Sequence, residues 1–179
     1  MRVIYTLILA VLVAGLAPNW APIGASALAA GAKKAAVGKI GPSGLAVPRF
    51  ESLTSAKVNL RAGPGLRYPI SWVYLRRGLP VMVVAEFEYW RKVRDVDGAE
   101  GWLHKSLIRG RRTAIIVGET RNLYETPGTD APVVAKAEAG VLAQLLACKG
   151  RWCLLEANNL QGWLPRDQFF GAFNDEVFD

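Results

Sequence analysis

Apolar and polar residues alternate in short runs along most of this chain, and no apolar stripe recurs at helical spacing. Val58-Asn59-Leu60 and Trp90-Arg91-Lys92-Val93-Arg94 mix the two kinds as half-buried strands do, and place Trp90 on the face opposite Val93. The pattern predicts strands over 56–60, 80–84, 90–94 and 101–104. Gly63-Pro64-Gly65, Arg77-Gly78, a tip at 86–88 and Asp97-Gly98 separate them. A second set follows over 121–124, 141–147, 152–156 and 161–164, and each set closes on one tight helical turn, at 105–108 and 166–169. Short strands with this punctuation predict an all-β barrel or sandwich.

The two sets are copies of one unit. Asn59 to Gly65 returns as Asn122 to Gly128, Trp90 returns as Trp152, and GWLHKSLIRG from Gly101 returns as GWLPRDQFFG from Gly162. The offsets are 122 − 59 = 63, 152 − 90 = 62 and 162 − 101 = 61, a drift that places single-residue gaps in loops. Domain 1 spans 51–110 and domain 2 spans 111–171, followed by a tail over 172–179. A unit of about sixty residues is near the lower limit for independent folding, which two units in tandem can relieve by sharing an interface.

The first 29 residues follow another grammar. Arg2 precedes an apolar run to Ala17, Pro18 breaks it, and small residues end in Ala27-Leu28-Ala29, the form of a secretory signal peptide cut near Ala29. An uncleaved anchor is the alternative, but the run is shorter than the roughly 20 residues of a spanning helix. Residues 30–50 carry Lys33, Lys34, Lys39 and Arg49 with no acid among Gly, Ala and Pro, and read as a basic, disordered linker. Domain 1 holds ten basic and six acidic residues, domain 2 seven and six, and the tail adds three acids. Such a charge distribution attracts anionic surfaces weakly, with an anionic membrane as one such surface; nucleic acid is not an expected partner of an exported protein.

Each copy resembles the bacterial SH3-like (SH3b) domain. The matching features in copy one are Val58 to Pro64, Gly78, Trp90 to Val93 and Gly101 to Ile108; in copy two they are Asn122 to Gly128, Gly140, Trp152 to Leu155 and Gly162 to Phe169. Copy two departs where Tyr124, Glu125 and Thr126 replace Arg61, Ala62 and Gly63. The tandem pair, leader and Cys-x-Gly-x-Trp-Cys hairpin together resemble a group of exported alphaproteobacterial proteins. The resemblance implies two small SH3-like β-barrels, and a shallow aromatic groove that takes peptides or wall fragments. In copy one that groove maps to Tyr68, Trp90, Trp102, His104 and Leu107 with Arg61 at its edge; in copy two it maps to Ala131, Trp152, Trp163, Pro165 and Gln168. Flat aromatic faces grip sugar rings, proline rings and peptide planes at low entropic cost. Each tryptophan also has a packing role open to it, as a lid on a small barrel.

Cys148 and Cys153 flank the hairpin tip of copy two, where they can face each other across an antiparallel pair and form a disulfide in an oxidising compartment. Zinc would need four ligands, and the single histidine, His104, lies in the other copy. Glu86 and Arg91 hold the aligned positions in copy one. No GxSxG, HExxH, phosphate-cradling loop or dinucleotide fingerprint occurs, so neither an enzyme nor a cofactor is expected. The expectation is therefore a noncatalytic, exported binding module for peptidoglycan or a periplasmic peptide. The alternative is a scaffold whose paired barrels dock a partner protein.

Overall fold

The computed structural model describes residues 38–178, so the signal segment, residues 30–37 of the linker and Asp179 lie outside the described residues. Strands dominate. In chain order they are β1 (Lys39–Ile40), β2 (Ala46–Val47), β3 (Arg49–Leu53), β4 (Val58–Arg61), β5 (Ile70–Tyr74), β6 (Pro80–Phe87), β7 (Trp90–Arg94), β8 (Glu100–His104) and β9 (Ile108–Arg109). The second copy supplies β10 (Thr113–Ile116), β11 (Arg121–Tyr124), β12 (Val133–Ala137), β13 (Leu142–Lys149), β14 (Trp152–Ala157), β15 (Leu160–Pro165) and β16 (Phe169–Phe170). One-turn 3-10 helices occupy Lys105–Leu107 and Arg166–Gln168, at the two predicted helical turns.

The first copy forms a seven-stranded sheet in the order β5-β4-β8-β7-β6-β3-β9, and the second repeats it strand for strand as β12-β11-β15-β14-β13-β10-β16. The duplication extends to irregularities. Register shifts between Leu60 and Arg61 and between Val83 and Ala85 recur between Leu123 and Tyr124 and between Leu145 and Ala147. Bulges bend a strand so that a small sheet can curl over its own core. Gly78 and Gly140 both adopt left-handed φ, 81° and 82°, and their N–H groups donate to Leu53 O and Ile116 O. The closing Gly-Trp step is explained by packing. A Cβ on Gly101 would fall 2.5 Å from Leu60 Cγ, and one on Gly162 would fall 2.5 Å from Leu123 Cβ.

Each barrel has its own core. Val58, Leu60, Val81, Val83, Val93 and Leu103 fill the first, and Ile116, Leu145, Leu155, Leu164 and the two cysteines fill the second. A further seam joins them. The Phe50 ring lies 5.0 Å from Phe170, edge-on, and 4.8 Å from Phe173. Thr113 Oγ1 donates to Gly78 O at 2.7 Å and meets Ser52 Oγ at 2.6 Å, while Ser52 Oγ donates to Arg111 O at 2.5 Å. With one proton on each hydroxyl, two of these three contacts can carry a hydrogen bond at a time.

Residues 38–50 depart from the disordered-linker expectation. They form the β1–β2 hairpin and open β3, held by Ser43 N and Oγ donating to Glu86 at 2.8 and 2.7 Å and by Arg49 pairing with Glu86 and Glu51. Basic, Gly-rich composition reads as a linker when its acidic partner lies far along the chain. Strands β3, β5, β10 and β12 also lie beyond the predicted set. The acidic tail folds back as well: Glu176 pairs with Arg112, and Cys148 N–H donates to Phe178 O at 2.7 Å.

Candidate functional site

The outer face of β7 and β8 is assembled by strand alternation. Arg91, Val93, Gly101 and Leu103 are buried, so Trp90, Lys92, Trp102 and His104 project to the other side, half-buried. Trp90 stands opposite His104, their rings 5.7 Å apart at 86°, and Trp102 stands opposite Lys92 on one side and Arg61 on the other. His104 Nδ1 accepts the Ser106 N–H at 3.3 Å and lies 2.8 Å from Ser106 Oγ. That bond caps the 3-10 turn and fixes the imidazole, which stands at a near right angle to the Trp90 ring.

Tyr89 extends this face and was missed by sequence reasoning, although an aromatic beside a hairpin tip is a usable signal. It is 60% exposed, its ring is 6.1 Å from His104, and Lys105 Nζ sits 4.8 Å from its centroid. An open cleft of about 680 Å³ runs alongside, lined by Pro42, Ser43, Glu88, Tyr89, Arg91 and Lys105. The face therefore combines ring surfaces suited to a planar or sugar-like group with the exposed Lys105 ammonium, while Arg91 is buried against Glu86 and Glu88 also lines the cleft.

The other candidate residues take different places. Arg61 Nη1 donates to Leu66 O and Tyr68 O at 3.1 and 2.8 Å, stapling the loop between β4 and β5. Tyr68 lies against Gly63, where a Cβ would fall 2.5 Å from the ring; Arg67 stacks 5.2 Å from its centroid. Leu107 packs against the first core. In copy two, Tyr124 pairs with Trp163 and meets Trp152 edge-on at 5.7 Å, while Pro165, opposite Trp152, is buried. The structure thus gathers Trp90, Trp102 and His104 on one face and turns Arg61 and Leu107 to local support.

Beneath the hairpin tips the copies differ. Cys148 and Cys153 face each other and are joined by a disulfide, with their side chains fully buried. At the corresponding register Glu86 accepts from Arg91 at 3.1 Å and from Arg49 at 2.8 Å, with its own side chain fully buried. Burial acts to raise the Glu86 pKa, but hydrogen bonds from Ser43 and Arg49 outweigh it and hold the carboxyl below the usual glutamate range.

A family model described as a bacterial SH3 domain matches this chain twice, over 54–110 and 117–168. The chain belongs to the bacterial SH3 domain family. It is a tandem SH3b protein, and each matched segment falls on one seven-stranded sheet, leaving out β3 of the first and β10 and β16 of the second. Among solved structures it is similar to NlpC1 of Trichomonas vaginalis, at 14% identity and a TM-score of 0.33, over 70% of this chain and 46% of that one. NlpC2 of the same organism is similar at 14% identity and a TM-score of 0.34, over 73% and 51%. This SH3b pair spans about half the length of each. A comparison with curated proteins returned no match.

Proposed function

We propose that this SH3b pair is a noncatalytic binding module of the bacterial envelope, which holds peptidoglycan against the outer face of copy one. The observation that carries the reading is the cluster of Tyr89, Trp90 and His104 beside an open cleft, with the exposed Lys105 ammonium over the Tyr89 ring. Aromatic faces suit the sugar rings and peptide stems of the wall, and the Lys105 ammonium suits its carboxylates. The fold membership, the leader and the disulfide support a location outside the cytoplasm. Both cysteines are committed to the disulfide and His104 Nδ1 to a local cap, which supports recognition rather than catalysis.

Cosedimentation of the purified protein with murein sacculi at low salt tests this. Binding should weaken about tenfold for Trp90→Ala or Tyr89→Ala, corresponding to roughly 1.4 kcal/mol. Absence of cosedimentation would remove the wall-binding reading. A second reading, docking of a partner protein by strand addition, is favoured by β5, an edge strand whose Ile70 and Trp72 are 47% and 60% exposed. Partner capture that survives Trp90→Ala but fails in Trp72→Ala would select it.

A further inference from the structure

The cleft at the joint of the two barrels has a chemistry distinct from the aromatic face. It measures about 270 Å³ and is lined by Arg77, Arg109 and Arg111 together with Ser52, Thr113 and Gln144, and no acidic residue lines it. All three arginines are exposed, and none takes a carboxylate partner among the described residues. Elsewhere Arg49, Arg91, Arg94, Arg112 and Arg121 do pair with glutamates. Three uncompensated guanidinium groups around one concavity repel each other unless an anion enters.

The polar side of the concavity is tied together by hydrogen bonds. Ser52 and Thr113 are buried and spend their hydroxyls on each other and on Arg111 O and Gly78 O. Gln144 Oε1 accepts from Arg111 Nη2 at 2.7 Å, which orients that guanidinium and leaves the amide NH2 of Gln144 as a donor. The site is also made only once. At the offsets of the repeat, Arg77 corresponds to Ala139 (77 + 62), Arg109 to Phe170 (109 + 61) and Arg111 to Ala172 (111 + 61). Duplication of the fold did not duplicate these charges.

We propose that this inter-barrel cleft is an oxyanion site that takes a phosphate group, held by forked hydrogen bonds from Arg77, Arg109 and Arg111. Planar guanidinium forks match tetrahedral phosphate in a way that ammonium groups do not, and a dianion neutralises more of the triple charge than a single carboxylate. The phosphate belongs either to a soluble phosphate compound or to a phospholipid headgroup. This site is separate from the aromatic face, and sacculus binding has no part in its test.

Isothermal titration of the purified full chain with pyrophosphate, and cosedimentation with phosphatidylglycerol vesicles against phosphatidylcholine vesicles, examine both sources. Saturable binding in either arm is expected, and the arm that responds identifies the source. Arg77→Ala, Arg109→Ala and Arg111→Ala should each weaken it about tenfold, whereas Arg94→Ala, an exposed arginine on another face, should leave it unchanged. Arg109→Lys should recover only part of the affinity, since it restores charge without the fork. No saturable binding in either arm, or an equal loss in Arg94→Ala, overturns the proposal.

Discussion

Glu86 faces Arg91 across the β6–β7 hairpin at the register that Cys148 and Cys153 occupy across β13–β14. One position in the fold is thus closed covalently in one copy and by charge in the other. Both closures are covered by a segment flanking the barrel: Ser43 of the β1–β2 hairpin covers Glu86, and Phe178 covers Cys148. Glu86→Ala should destabilise the protein by about 3 kcal/mol, because it leaves Arg49 and Arg91 facing a buried site without their shared anion. Reducing the disulfide should cost only about 2 kcal/mol, the value for so short a loop on the chain-entropy model. Urea titrations of the two forms compare the losses directly.

The acid side of the stability profile should report Glu86 and Glu176. For Glu176 as for Glu86, burial acts to raise the pKa and is outweighed, here by Arg112, so that both sit below the ordinary value of 4.5. A carboxyl depressed in the folded state contributes stability that is full above its unfolded pKa and is lost as pH falls through the folded one. Thermal midpoints should therefore hold at neutral pH and fall below about pH 4.5. Glu86→Gln combined with Glu176→Gln should make that fall shallower. An unchanged slope would contradict it.

Phe50→Ala should loosen the joint. Phe50 belongs to β3 of the first barrel, yet its ring partners Phe170 and Phe173 lie at the end of the second. A loss of about 3 kcal/mol is expected from the cavity. Calorimetry should split a single transition into two, since the variant removes apolar contact that couples the barrels.

Gly101→Ala and Gly162→Ala test the origin of the Gly-Trp step in both copies. Each added Cβ meets a leucine of the neighbouring strand at 2.5 Å, and at Gly101 also the Arg61 carbonyl oxygen at 2.9 Å. Neither site offers a free side-chain end to yield, since Leu123 Cβ is tied to its own backbone and Arg61 O is backbone, so both substitutions should cost about 2 kcal/mol as typical overpacking. Chemical denaturation of both variants measures the two losses.

The repeat, the two barrels and the facing cysteines were legible because they rest on local alternation and on period. The outer face of Trp90 was legible for the same reason: alternation alone puts it opposite Val93. What escaped depends on distance along the chain or on backbone acceptors. Arg49 looks like linker until Glu86 is brought to it. Arg61 looks like a groove residue until its protons are found on the carbonyls of Leu66 and Tyr68. Strand β5 follows a Gly-Pro loop and lies at a sheet edge with its first three residues exposed, so its burial leaves no alternating trace. The arginine cleft draws on residues from both copies, and no local pattern announces it.

Thr113 and Ser52 also bear on how such a protein can change over generations. Each satisfies a carbonyl or hydroxyl belonging to the other side of the joint, so a cut there would leave raw polar ends on both halves. Duplication, once sealed in this way, is hard to reverse. Loss of either copy would hand the surviving half of this polar seam to water, so the joint favours keeping the two copies together.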